Sequence, residues 1–260
     1  MQYIEFLSKD NNVLSDIYST IFYVKYNSSF TVSEEDYRSA IKSHSIQPIF
    51  KLFFLYPDES IRCDLTPYLL SDGELSITYD VGVRRKLSVS LLNTSGDWRV
   101  SSTDGFLWKG AKFKFCIGFR TSDIEYLCSA GVFILNEFST SHKYKTNVYS
   151  LELVDKFGGL DGTVGGNTID DIYVPVGSNI YNMTKELLSG EKIAGVPYDN
   201  RSIHFPTNLF NETTPYTINK TSGSNDTIGD TIKTFATILN SDVYYDVYGH
   251  MTFEESPDNV

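Results

Sequence analysis

The side chains best suited to hold a metal or move a proton at neutral pH are four histidines, His44, His142, His204 and His250. A tetrahedral zinc site needs such ligands at short fixed spacing, and the sequence has no His-Glu-x-x-His, Cys-x-x-Cys or Cys-x-x-His. The glycines Gly158, Gly159, Gly162, Gly165 and Gly166 have the density of a phosphate cradle, yet no Gly-Lys-Ser/Thr follows them, so they read as a turn-rich connector. Asp161, Asp170 and Asp171 offer oxygen ligands to a cation such as calcium, but their spacing does not fit a twelve-residue calcium loop, and they read as solvated loop acids. Ser39-x-x-Lys42 and Ser189-x-x-Lys192 match a Ser/Lys nucleophile spacing without the strand-to-helix turn that would activate it. The carboxylate pairs Glu34–Glu35 and Asp170–Asp171 are chain neighbours, which do not face each other. The expectation is a protein with no catalytic residue, no bound cofactor and no metal, hence not an enzyme.

Recognition chemistry has stronger candidates. Trp98, Phe106 and Trp108 cluster in the turn-rich GDWRVSSTDGFLWKG, and Tyr244, Tyr245 and Tyr248 crowd a short C-terminal stretch. Large aromatics among glycines and charges are enriched at protein interfaces, although both tryptophans could equally plug the end of a barrel. Trp98, Phe106, Trp108, Tyr244 and Tyr248 are the interface candidates.

The elements that must carry these residues follow from periodicity. Residues 1–45 read as an extended arm with one short helix, because Ser33 and Asp36 have capping-box spacing ahead of Tyr37, Ala40 and Ile41 on one face. From residue 46 to about 155 the period shifts toward two, in runs such as IFKLFFLY, KLSVSLL, KFKFCIGF, GVFILNEF and NVYSLELV separated by polar turns. This predicts an antiparallel sheet, sandwich or barrel; in KLSVSLL, Leu87, Val89 and Leu91 take the buried face. After the glycine-rich segment come two predicted helices, over 178–189 and 226–240. Thr227 and Asp230 cap the second, which buries Ile228, Ile232, Phe235 and Leu239. A hairpin turning at Asp246 to Gly249 closes the chain, and residues 191–225 show no periodicity. The organisation is an arm over 1–45, a tube-like antiparallel β-barrel over 46–157, and a smaller α+β domain over 158–260 with two helices and a C-terminal hairpin.

Composition narrows the partners. With 22 Lys+Arg against 33 Asp+Glu the formal net charge is −11, which opposes stable nucleic-acid binding and attachment to anionic membranes. No run of about 18 apolar residues exists, so no membrane insertion is expected, and the start lacks a secretory pattern. Cys63, Cys116 and Cys128 are odd in number and far apart, as in a reduced cytoplasmic core.

Three stretches then show a resemblance. GELSITYDVGVRRKLSVSLLNTSGDW…DGFLWKGAKFKFCIGF, followed by CSAGVFILNEF…TNVYSLELVDKFGGLDG, resembles the first barrel domain of central hub proteins in the tail baseplate or tail tip of long-tailed bacteriophages. The pattern is a pair of arginines, Arg84 and Arg85, before an alternating strand, then a Trp-Lys-Gly lead into a strand ending in Ile-Gly-Phe, then Gly-Val-Phe and a closing strand with Asp155. SEEDYRSAIKSHSIQPIFKLFF and DTIGDTIKTFATILNSDVYYDVYGHMTF are similar to the start, and to a helix and hairpin, of the same proteins. The resemblance implies a structural virion protein assembled in the host cytoplasm. It implies a homotrimer that joins the tail tube or distal tail protein to tip or fibre proteins and surrounds the end of the tape-measure protein. Such hubs carry two barrels per chain, and here one stretch reads as a barrel. Competing readings are a peptidoglycan-binding LysM-like module, from Tyr216, Thr217, Ile218, Asp226, Thr227 and Ile228, and a tail-associated lysin component.

Overall fold

The computed structural model describes residues 21–25, 28–32, 34–42, 46–79, 82–93, 107–121, 124–143, 146–167, 171–190, 192–193, 196–199, 201–221 and 225–255. Among them the fold is mostly β, a large antiparallel sheet followed by a smaller α+β part. The sheet strands are β1 (Ile21–Lys25), β2 (Ser28–Val32), β3 (Gln47–Leu55), β4 (Ile61–Asp64), β5 (Leu69–Ile77), β6 (Arg85–Asn93), β7 (Lys112–Arg120), β8 (Ile124–Lys143) and β9 (Thr146–Asp155). Pairing runs β4-β3-β7-β8-β9-β6-β5, with the β1–β2 hairpin attached to β8. This hairpin is structure that the arm reading did not foresee; the helix it foresaw is α1 (Glu34–Ile41), whose Tyr37 and Ala40 pack on Phe119 and Tyr126. Ser33 of the expected cap lies outside the described residues.

The β6 register follows the alternation: Leu87, Val89 and Leu91 are buried and Lys86 is exposed. Those side chains join Leu52, Phe54, Phe113, Phe133, Leu135 and Leu151 in one core, so the sheet curls around its inner face. Leu65, in the link from β4 to β5, enters the same core, and its N–H donates to the Leu52 carbonyl at 2.8 Å. Among the described residues no pair joins β4 to β5, so the ladder itself stays an open path. Strand β8 runs longer than its apolar stretch, because two bulges shift its register and let one strand serve β7 and β1 at its start and β9 at its end.

Beyond Asp155 a second core gathers Phe157, Leu160, Ile180, Tyr198, Ile232, Phe235, Tyr245 and Phe253. The glycine-rich segment is packed rather than loose: a β-carbon on Gly166 would lie 2.3 Å from the Leu160 backbone, so the glycines permit close crossing of chain on chain. Two short ladders follow, β10 (Ile172–Val174) with β13 (Ile218–Lys220), and β11 (Lys192–Ile193) with β12 (Val196–Pro197). Helix α2 (Ile180–Gly190) buries Ile180, Thr184 and Leu188, and α3 (Ile228–Ile238) buries Ile228, Ile232 and Phe235. The last hairpin is β14 (Ser241–Tyr245) with β15 (Met251–Glu255). Among the described residues no helix is long and apolar enough to cross a membrane.

The expected cap of α3 is present in full. The Asp230 N–H donates to Thr227 Oγ1 at 3.0 Å, and the Thr227 N–H returns a bond to Asp230 Oδ2 at 3.0 Å. Thr227→Ala removes the hydroxyl that serves the first turn, and the expected loss is about 1 kcal/mol, read as a lower urea midpoint with an unchanged slope. An unmoved midpoint would mean that packing alone holds the helix start.

Candidate functional site

The two cores meet at a joint built from charged residues that the sheet would otherwise have no reason to bury. Glu59 occupies the turn between β3 and β4 with φ of 69°, a left-handed conformation uncommon for a residue with a side chain. Its Oε1 lies 2.9 Å from Lys112 Nζ at the start of β7 and 2.7 Å from Lys156 Nζ just past β9, and its Oε2 lies 2.9 Å from an Arg201 nitrogen. Lys156 Nζ also donates to Asp199 Oδ2 at 2.6 Å and to the Gly249 carbonyl at 2.9 Å. Lys112 Nζ donates to the carbonyls of Pro57 and Tyr198, and the Tyr198 hydroxyl donates to the Lys156 carbonyl. Lys156 is fully buried.

Burial alone pushes the Glu59 carboxyl up, but Lys156, Lys112 and Arg201 outweigh it and hold the group well below the usual carboxylate range. Lys112 is pulled down by burial, with Glu59 opposing. Charges taken this far from water stay ionised only when each keeps a partner, so the network fixes the relative placement of five distant segments.

A second clasp lies alongside. Asp155 Oδ2 accepts the backbone N–H groups of Arg84 at 2.7 Å and Arg85 at 3.0 Å, while Oδ1 accepts the Phe157 N–H. Burial pushes the Asp155 carboxyl up to about 6 against these donors. The Arg85 guanidinium donates to the Tyr245 carbonyl at 2.7 Å and the Asp246 carbonyl at 2.9 Å, gripping the last hairpin at its turn. Arg84 lies over the Tyr244 ring at 3.7 Å and pairs with Asp242 at 3.1 Å. Ser129 Oγ donates to the Val247 carbonyl, and Gly249, at φ of 87°, lets the turn approach Val132.

The aromatic candidates fall in different places. Trp98 and Phe106 lie outside the described residues. Trp108 packs on the sheet core, edge-on to Phe54 with centroids 5.6 Å apart. Tyr244 lies on β14 and Tyr248 in the turn that follows: the Tyr244 hydroxyl donates to Glu254 at 2.7 Å, and the Tyr248 carbonyl accepts from Arg201. Burial, then Glu254, pushes the Tyr244 phenol up to about 12. His204 and His250 also meet here, with stacked rings. Among the described residues no group of His, Cys, Asp and Glu is arranged to hold a metal; Asp170 lies outside them, and Asp161 accepts the Thr163 N–H.

Sequence reasoning missed Glu59, Lys112, Lys156, Asp199 and Arg201. The available signal was Lys112 between the apolar Ala111 and Phe113, and Lys156 beside Phe157 at the end of the apolar-rich run NVYSLELVD.

A second feature is an apolar groove of about 350 Å³ on the inner face, lined by Phe50, Leu69, Leu75, Val89, Phe115 and Ile117 among others. Phe50 shares the face of Leu52 and Phe54 and stacks with Phe115 at 6.1 Å, yet it is 50% exposed; its partner Ile117 is 37% exposed. Core-facing side chains are left open because, among the described residues, β5 pairs only with β6, and residues 47–51 of β3 only with β7.

No family model and no curated protein matches the sequence. Solved structures similar to it include two tail proteins and a PdpA-VgrG complex. The 43 kDa tail protein of prophage MuSo2 from Shewanella oneidensis is 8% identical over 90% of this chain and 53% of its own, with a TM-score of 0.40. The tail protein from Neisseria meningitidis MC58 is 10% identical over 79% of this chain and 50% of its own, with a TM-score of 0.50. A Francisella PdpA-VgrG complex in its lidded form is 9% identical over 84% of this chain and 30% of its own, with a TM-score of 0.49. The chain thus spans about half the length of the two tail proteins. At such identity the likeness is one of fold, and the architecture is shared with the Neisseria tail protein.

Proposed function

We propose that this chain is a structural protein of a phage tail, a hub at the baseplate or tail tip that links the tail tube to the tip or receptor-binding apparatus through ring-forming protein contacts. The observation that carries the reading is the open inner face of a tail-protein fold, where Phe50 and Ile117 stay exposed at positions the register assigns to a core, beside strands that, among the described residues, have no further strand alongside. Strand edges and uncovered apolar side chains of this kind are satisfied by neighbouring chains. In this reading the chain divides into an arm over 1–45, a barrel unit over 46–157 and an α+β unit over 158–260. One core within the barrel unit and a second drawn mainly from later residues support that division, and the charged joint ties the two together. The role is mechanical rather than catalytic. The assembly is a homotrimer in the virion, formed in the host cytoplasm. It meets the tube or distal tail protein, the tape-measure protein and tip or fibre proteins through surfaces that include Trp98, Phe106, Trp108, Tyr244 and Tyr248.

Solution mass tests it. Light scattering on the purified chain is expected to give three times 29.4 kDa, about 88 kDa. A species at 29.4 kDa that stays monomeric when co-expressed with neighbouring tail proteins overturns the reading.

A further inference from the structure

The seam between β3 and β5, where among the described residues the curled sheet stays open, combines an apolar floor with a free strand edge. At one end it is bridged: the Leu65 N–H donates to the Leu52 carbonyl, and the Leu52 N–H donates to Thr66 Oγ1 at 3.1 Å. Away from that bridge, among the described residues, β3 over 47–51 pairs only with β7, and β5 pairs only with β6. No residue of β5 is buried, although its Leu75 lies opposite the buried Leu87.

The apolar groove along this seam is bordered in two different ways. From β6 and β7 it takes alternate residues, Leu87, Val89, Phe115 and Ile117, which form one face of each strand and make the floor. From β5 it takes Gly73, Glu74 and Leu75 in succession, so this strand meets the groove with its edge. From β3 it takes Phe50 alone, a side chain on the floor's own face. Ile77, two residues past Leu75 on the same face of β5, is 57% exposed and continues the apolar stripe. Asp72 and Glu74 stand exposed along this edge, and among the described residues neither has an ion partner.

An apolar small molecule would cover the floor and leave the edge of β5 unused. An extended chain satisfies both, because its backbone N–H and C=O groups pair with β5 while every second side chain drops onto the floor. Its outward side chains come to lie beside Asp72 and Glu74, where cations are favoured. We propose that this seam is a strand-acceptor site, filled in the assembled tail by an extended segment of a neighbouring polypeptide that carries large apolar residues at alternate positions and Lys or Arg between them. The source of the strand rests on the structural reading above; the groove and its edge do not.

Fluorescence anisotropy on the full chain reads the site with a labelled peptide of about seven residues that alternates Val or Phe with Lys, a length that pairs along β5. Saturable binding is expected, and binding about fivefold weaker when Glu replaces the Lys. Two further peptides carry N-methyl groups on alternate amides, one set on each edge of the strand. One of them is expected to bind about tenfold more weakly, through lost backbone hydrogen bonds, and the other within about twofold of the parent peptide. Phe50→Thr and Ile117→Thr, both at exposed positions, are each expected to weaken binding by about fivefold, and if one does not fold the other decides. Absence of binding overturns the proposal, as do equal effects of the two methylated peptides, equal binding of the Lys and Glu peptides, or unchanged binding in the folded variants. A chain that is trimeric in solution yet takes no strand loses this proposal and keeps the hub reading. A chain that stays monomeric with its neighbours but takes the strand does the reverse.

Discussion

Lys156→Met is expected to cost about 3–5 kcal/mol of folding stability. Methionine fills the same channel, so the effect isolates the ammonium rather than the packing. That ammonium is 0% exposed, lies 2.7 Å from Glu59 and 2.6 Å from Asp199, and sits 4.6 Å from the centre of the Tyr245 ring. Without it Glu59 keeps Lys112 and Arg201, whereas Asp199 is left buried with the Arg201 N–H and no ion partner in the network. Desolvation that the pair had offset then falls on one carboxylate. A chain of this size loses roughly 2–4 °C of Tm per kcal/mol, so thermal unfolding is expected to begin well below that of the parent chain. Urea unfolding measures the loss, and a change under about 1 kcal/mol would show that water reaches the network. Asp199→Asn added to Lys156→Met is expected to restore part of the stability, because the orphaned charge is gone. The pH dependence follows the same logic. Glu59 is held below its unfolded value, so its contribution is complete above the ordinary carboxylate range and is lost only in strong acid.

That network shows where local pattern stops carrying information. Alternation located β6, capping chemistry located α3, and Asp246 through Gly249 located the last turn, because each signal lies within a few residues of the element it specifies. Arg84, Arg85 and Asp155 were visible as parts of a pattern, and the structure gives them a physical role in clasping strand ends and hairpin. Glu59 was hidden in a stretch that reads as an ordinary polar turn, since its meaning comes from Lys156 and Arg201, far along the chain. Residues 191–225 lacked period for the same reason: Tyr198, Asp199 and Arg201 are fixed by partners on the sheet and last hairpin, and not by a helix or strand of their own. The β1–β2 hairpin escaped notice because it finds its ladder on β8, a strand it follows nowhere in sequence. Trp108 carried a surface and an interior reading with equal weight. Its edge-on contact with Phe54 gives it a packing role within the chain, and an exposed Phe50 two strand positions before Leu52 is the plainer sign of an unfinished surface.

Gly118→Ala is expected to destabilise the chain by about 3 kcal/mol for the addition of one methyl group. Gly118 sits in β7 opposite Leu127 of β8 and Ile49 of β3, inside the Ile-Gly-Phe ending of its strand. A β-carbon there would lie 1.8 Å from the Tyr126 carbonyl oxygen and 3.0 Å from the Leu127 Cα. Both obstacles are backbone, so no rotamer change relieves them, and relief requires β8 to move away from β7. Movement is opposed on both sides: Phe119 and Tyr126 stack with centroids 4.9 Å apart, and Tyr37 of α1 sits 5.3 Å from Phe119. Alanine therefore must either part the ladder or unseat α1 and the β1–β2 hairpin that β8 carries. Gly190→Ala serves as the control, since nothing lies within 4 Å of its added carbon at the end of α2 and the exchange there is expected to be neutral or slightly stabilising. Urea midpoints of the two variants against the parent separate the cases. Equal midpoints for all three would mean that β8 yields freely at Tyr126, and the stacked rings would then be a consequence of the strand's path rather than a restraint on it.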